Sequence, residues 1–187
     1  MVLRVTQYGE DVLRQKGERV TVYDEGLVKL ADDMVETMYE SEGIGLAAQQ
    51  IGIAIQLCVI DIADMDPGLL HYEFDGKRPP IDLIMPMALV NPVVRVIEGK
   101  TSTEEEGCLS FPNVRGDVSR GDEIEVTFQD LDGAFHNLKT RGWYARVVQH
   151  EVDHLNGVLF IDHMETRELR QLDSKIKKIR RASKKLK

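Results

Sequence analysis

Cysteine is scarce in this chain: 187 residues carry two, Cys58 and Cys108. That is too few for the disulfide framework of a small secreted domain. No apolar run approaches the length of a transmembrane helix. The opening Met1-Val2-Leu3-Arg4-Val5-Thr6 has no apolar stretch long enough for a signal peptide. A soluble protein of a reducing cytoplasm, without a membrane partner, is therefore expected. Internal repeats and low-complexity segments are also lacking, which excludes solenoids and arrays. Positive charge is sparse over most of the length. There are 24 Lys and Arg against 32 acids, for a net charge of -8. Eight of the basic residues crowd into 175–187, leaving 16 against 32 acids on residues 1–174. So acidic a body argues against nucleic-acid coating, and no DNA partner is expected. The basic end is either a solvated terminal helix or a contact for RNA or an acidic surface.

The length suits one domain, 1–187, with 164–187 as a basic C-terminal helix. Leu27, Leu30, Met34, Val35 and Met38 recur at helical spacing before Gly43, which predicts an amphipathic helix over residues 26–42. Residues 53–62, 89–98, 123–129 and 134–139 read as strands. Asp130-Leu131-Asp132-Gly133 joins the last two as a hairpin turn. Residues 64–86, broken by Pro67, Gly68, Gly76, Pro79, Pro80 and Pro86, read as a long loop. A helix is predicted over 143–156, stopped at Asn156-Gly157, and a final one is marked by Leu169, Leu172, Ile176 and Ile179. Strands mixed with segregated helices indicate an α+β fold. Cys58, inside the apolar run Ile55 to Ile60, reads as a core residue.

His150 and His154 lie four residues apart in His150-Glu151-Val152-Asp153-His154, so a helix projects both from one face. An H-E-x-x-H helix binds a divalent metal through both imidazoles, and its Glu handles protons for water. A catalytic metal needs about three protein ligands. The third His of the metzincin pattern would fall at position 160, which is Phe160. Glu165 and Glu168 follow closely on what reads as the surface of the last helix, and the lone His163 reads as structural. Cys108, in Glu106-Gly107-Cys108-Leu109-Ser110, sits in a polar, glycine-bearing loop. A thiolate with two imidazoles is a sound donor set for zinc or ferrous iron, though a loop thiol alone carries no such meaning. In Gly43-Ile44-Gly45-Leu46-Ala47-Ala48-Gln49-Gln50, two glycines permit close backbone approach and Gln50 offers an amide donor.

These three segments, in this order, resemble the signature motifs of the peptide deformylase family and match them without a substitution. The resemblance covers essentially the whole chain. It implies antiparallel β-sheets packed around a central metal-binding helix, with N-terminal and C-terminal helices. It implies Cys108, His150 and His154 as ligands of one divalent ion, typically ferrous iron, with zinc or nickel as substitutes. Glu151 would move the water's proton. The Gln50 amide and the Leu109 N–H would stabilise the oxyanion, each worth about 2.7–4 kcal/mol. Gly43, Ile44, Gly45 and Gly107 would meet the peptide. Val147 is either a wall of the methionine pocket or plain helix core. The substrate implied is an N-formylmethionyl nascent peptide, and the basic helix could dock on the ribosome. Two departures stand out: the stretch before Asn91-Pro92 is longer than in compact members, and Arg146 stands where some members carry an apolar pocket residue. A peptidase cutting internal bonds would also use H-E-x-x-H, but Cys108 argues against it. A binding module with a structural metal would need a fourth protein ligand, and none is credible.

Overall fold

Asp24 opens the first helix, α1 (Glu25–Glu40), by accepting a hydrogen bond from Leu27 N at 3.0 Å. The computed structural model, which describes residues 1–184, continues in short strands: β1 (Gly45–Ala47), β2 (Leu57–Ile60), β3 (His71–Phe74) and β4 (Met87–Val96). Next come β5 (Thr101–Gly107), β6 (Arg115–Gly121), β7 (Glu123–Gln129) and β8 (Phe135–Arg141). Two helices close the chain, α2 (Trp143–Leu155) and α3 (Thr166–Ser183). Six strands form one sheet in the order β1-β2-β4-β7-β8-β3, and β5 pairs with β6 as a separate hairpin. Every pairing between these strands is antiparallel, which bears out the α+β expectation.

The continuous apolar run of β2 has a direct cause: both of its faces are covered. Leu57 and Val59 pack with Met34 and Met38 of α1, whereas Cys58 and Ile60 point to the opposite side, with Tyr144, Val148 and Leu155 of α2. Alternation disappears when neither face meets water. Each such Leu, Val or Ile stabilises the fold by about 1.5–3 kcal/mol through burial. Cys58 is core as expected, and burial pushes its thiol pKa well up. A third cluster joins the β5–β6 hairpin to the chain end: Phe111, Val118 and Phe160 pack with Met164 and Ile176, and Leu169, Leu172 and Ile179 flank them. This anchors α3, whose other faces are polar.

Three expectations need correction. Residues 64–86 are not all loop. They include the edge strand β3, paired with β8 from His71↔Arg141 to Phe74↔Leu138, and short 3-10 turns at Pro67–Leu69 and Ile81–Leu83. Four residues between proline clusters give little periodic signal, and the open edge of β8 supplies the order. Within 53–62 the ordered strand is only Leu57–Ile60. Glu106 and Gly107, read as loop, end β5, so only Cys108 begins the turn. Strands β5 and β6 escaped notice because most β5 side chains are exposed and polar, while the inward positions of β6 are Gly116, Val118 and Arg120. The final helix begins at Thr166, and residues 185–187 of its expected span lie outside the described residues. Among the described residues no helix is long and apolar enough to cross a membrane.

Candidate metal centre

Helix α2 follows Gly142, whose φ of 66° favours glycine, and ends before Gly157, with a φ of 72°. A Cβ on Gly157 would lie 2.6 Å from the Arg14 carbonyl oxygen, so the chain needs glycine there. The intervening turns set the His150 and His154 rings edge to face, with centroids 5.1 Å apart. Strand β5 delivers Cys108 to the same place: its Sγ lies 3.3 Å from His154 Nε2. Ligand atoms of Cys108, His150 and His154 all fall within 4.8 Å of one another. His150 Nδ1 meets Glu106 Oε2 at 2.9 Å, which leaves Nε2 as the free ring nitrogen. A carboxylate on the outer nitrogen is the usual means of orienting an imidazole ligand.

The electrostatics agree with a cation site. Burial pulls His150 down, but hydrogen bonds with Cys108 and Glu106 outweigh it and raise the ring to about 10. The Cys108 sulfur and the two imidazoles face one position that a divalent cation could take. Burial, reinforced by the positive His150 ring, drives His154 well below its usual value, so this ring stays neutral, the form that coordinates. Burial, opposed by His150, pushes Glu151 up to about 7. Its Oε2 is buried without a hydrogen-bond partner among the described residues. Glu106 would also rise on burial, but hydrogen bonds from His150 and Arg120 hold it well below the ordinary carboxylate range. The donor set thus fits a metal ion: two imidazoles, one cysteine sulfur and an unpaired carboxylate oxygen beside them.

A cavity of about 510 Å³ opens over this cluster. Ile44, Gly45, Gln50, Gly107, Leu109 and Val147 line it together with Cys108, His150 and Glu151. Gln50 Oε1 accepts from Ala47 N at 2.8 Å, which fixes the amide so that Nε2 points to Cys108 Sγ and Ser110 Oγ, each at 3.4 Å. Gly45 has a steric reason: a Cβ there would lie 2.3 Å from Glu151 Oε1. Of the residues expected to meet the peptide, Gly43 is not a wall. It donates to Met38 O at 2.9 Å behind Leu109. Val147 is both core and wall, packed in the α2 cluster while facing the cavity. A wider cleft of about 610 Å³, lined by Lys16, Gln56, Asn91 and Asp153, holds none of the ligand set.

Sequence reasoning gave no role to the residues behind the site. Arg120 donates through Nε and Nη2 to both oxygens of Glu106, at 2.6 and 2.9 Å, and through Nη1 to Asp153 at 2.7 Å. Asp153 in turn binds His163 at 2.9 Å, the structural use expected of that histidine. Glu168 is spent on Asp117 N and takes no part in the site. The available signal was Glu106 itself, an acid two residues before the candidate ligand Cys108.

The polypeptide deformylase family model matches residues 2–170. A peptide deformylase of Opitutus terrae is 51% identical over 192 residues, spanning 100% of this chain and 98% of that protein. One from Brachyspira hyodysenteriae is 38% identical across 96% of this chain and 90% of its own length. Among solved structures, the Thermotoga maritima peptide deformylase superposes with a TM-score of 0.75 at 37% identity, covering 88% of this chain and 99% of its own. The Synechococcus elongatus enzyme, solved with actinonin, gives 0.78 at 40% identity, with 92% and 85% covered. The chain belongs to the polypeptide deformylase family, metal-dependent hydrolases that remove the N-formyl group from newly made polypeptides.

Proposed function

We propose that Cys108 Sγ and the imidazoles of His150 and His154 hold one divalent ion, ferrous iron in the native enzyme with zinc or nickel as substitutes, beside the formylated end of a nascent peptide. The convergence of these three donors within 4.8 Å, next to an unpartnered Glu151 oxygen, carries this reading. A divalent cation held there would supply Lewis acidity, polarising the formyl carbonyl and acidifying water. Glu151, with a pKa near neutrality, takes the proton of the attacking water and returns it to the departing amine. Gln50 Nε2 and the Leu109 N–H donate to the oxyanion as it develops. Formate and a free methionine amine result.

The peptide enters along β1. That strand lies at the edge of its sheet, and Ile44 and Gly45 face the cavity, so an extended chain can add to it by backbone pairing. Ile44, Leu109 and Val147 supply apolar walls for the methionine side chain, and Gly107 leaves room for backbone approach. Recognition through main-chain groups predicts tolerance beyond the first residue. The basic face of α3 docks on the ribosome in the cytoplasm; a protein lacking residues 175–187 that still co-sediments with ribosomes like the full chain would end that reading.

Replacing Glu151 by Ala tests the catalytic assignment. Metal content is expected to stay at the wild-type level while formate release drops about 10²–10⁴-fold. Turnover equal to wild type would remove Glu151 from its role.

A further inference from the structure

Arg146 is nearly fully buried, on α2 one turn before His150; it borders the cavity, and its guanidinium is engaged by protein groups. Its Nη1 donates to Glu106 Oε1 at 2.6 Å and to the Val118 carbonyl at 2.9 Å. Its Nη2 donates to the Ser102 carbonyl at 2.8 Å and to Ser102 Oγ at 3.0 Å. One side chain on the histidine-bearing helix therefore bonds both strands of the hairpin, β5 through Ser102 and β6 through Val118. Cys108 follows directly on β5. The tie thus spans the two elements that supply the thiolate and the imidazoles.

Glu106 accepts four hydrogen bonds. Oε1 takes Arg120 Nε and Arg146 Nη1, and Oε2 takes Arg120 Nη2 and His150 Nδ1. Arg120 is also drawn toward Asp153, so alone it would pull the carboxylate from one side. Arg146 holds it from α2. A carboxylate gripped by the Arg120 fork and by a second arginine from α2 cannot swing, and the ring bonded to it keeps its plane.

We infer that Arg146 is a positioning residue for the metal centre, fixing the His150 ring through Glu106 and setting the separation between α2 and the Cys108 end of β5. This rests on Cys108, His150 and His154 being the ligands. Lysine, a point charge on a flexible stem, cannot make these four bonds at once.

The test loads wild type, Arg146→Lys and Arg146→Met with cobalt(II). It reads the dissociation constant by chelator competition, the visible cobalt spectrum, and kcat and KM on a formyl-methionyl peptide. Arg146→Met is expected to weaken metal binding about 10- to 100-fold, with Arg146→Lys between it and wild type. The sulfur-to-cobalt and ligand-field bands should shift, and kcat should fall while KM holds. In a Glu106→Gln background the effect of Arg146→Met on metal binding should shrink, because the two act as one unit. Wild-type affinity and spectrum in both Arg146 variants, whatever their melting temperatures, would overturn the inference. So would an undiminished Arg146→Met effect beside Glu106→Gln. If Arg146→Met does not fold, Arg146→Lys decides. A wild-type protein that takes up no cobalt would remove the ligand assignment as well, which separates the two failures.

Discussion

His150 and His136 each set Nδ1 against a carboxylate, at 2.9 Å from Glu106 and 2.7 Å from Asp75, yet the two pairs do different things. Glu106 has a side chain only 4% exposed and is saturated by two arginines, whereas Asp75 is 42% exposed and faces water. The outer nitrogen of His150 is spent on a carboxylate, and the other ring nitrogen remains for the Cys108 side of the cavity. In His136 both nitrogens are spent, since Nε2 meets Asp130 at 3.1 Å. The first arrangement suits the orienting of a ligand. The second latches the turn after β3 onto the β7–β8 hairpin, assisted by stacking of Phe74 on the His136 ring at 5.1 Å. Burial and saturation of the carboxylate, rather than the pair itself, separate a site from a clasp.

Removing the carboxylate in each case is the strongest way to break that comparison. Glu106→Ala strands two buried guanidinium groups, and loss of one partner from a buried ion cluster costs about 3–5 kcal/mol. Asp153 still holds Arg120, and Arg146 keeps its bonds to Ser102 and Val118, so the low end, about 3 kcal/mol, is expected in urea unfolding. Asp75→Ala, half open to water, is expected to cost about 0–1 kcal/mol. Equal losses would abolish the distinction. A smaller structural effect with a clear kinetic one should follow from Gly45→Ala, which alters no charge. The new Cβ would crowd Glu151 Oε1, and a displacement of about 1 Å at a catalytic group costs about 10²-fold. That loss should appear in kcat with metal content unchanged; wild-type kcat would show that Glu151 has room to spare.

What the sequence revealed follows from how local each signal is. The His150 and His154 pair needs only one helical turn, and the β7–β8 hairpin needs only alternation around Asp130 to Gly133, so both could be read directly. The apolar stripe of α1 was equally plain. Cys108 became meaningful only beside two other motifs. Strand β3 depends on an edge that β8 offers from more than sixty residues away, and no feature of His71-Tyr72-Glu73-Phe74 announces it. The grip on Glu106 was hidden for a different reason. Charged residues are read as solvated by default, and the inward direction of Arg120 depends on the β5–β6 register that sets Glu106 opposite Gly116. Arg146 was noticed as an oddity at the pocket. Its guanidinium was legible only once Ser102, Val118 and Glu106 stood around it.

The surface latch should show its nature in a small pH effect. Burial opposes protonation of His136, but hydrogen bonds to Asp75 and Asp130 outweigh it and raise the ring above its ordinary 6.5. Asp75 and Asp130 move the other way. Burial would raise each, but backbone donors and His136 hold both below 3.8. The folded protein therefore binds the His136 proton more tightly than the unfolded chain does. That contribution is complete below 6.5 and fades as pH rises through the raised folded value. The aspartate contributions are complete above 3.8 and fade as pH falls through the depressed values. The latch is thus strongest between those limits. Unfolding free energies of wild type and His136→Asn should differ most near about pH 5 and converge as pH rises past the raised His136 value, with a gap of no more than about 1 kcal/mol for so exposed a cluster. Amide exchange in β3 should accelerate in the variant at the lower pH and match wild type at the higher. A gap that stays constant across this range would mean that stacking on Phe74, not charge, closes the clasp.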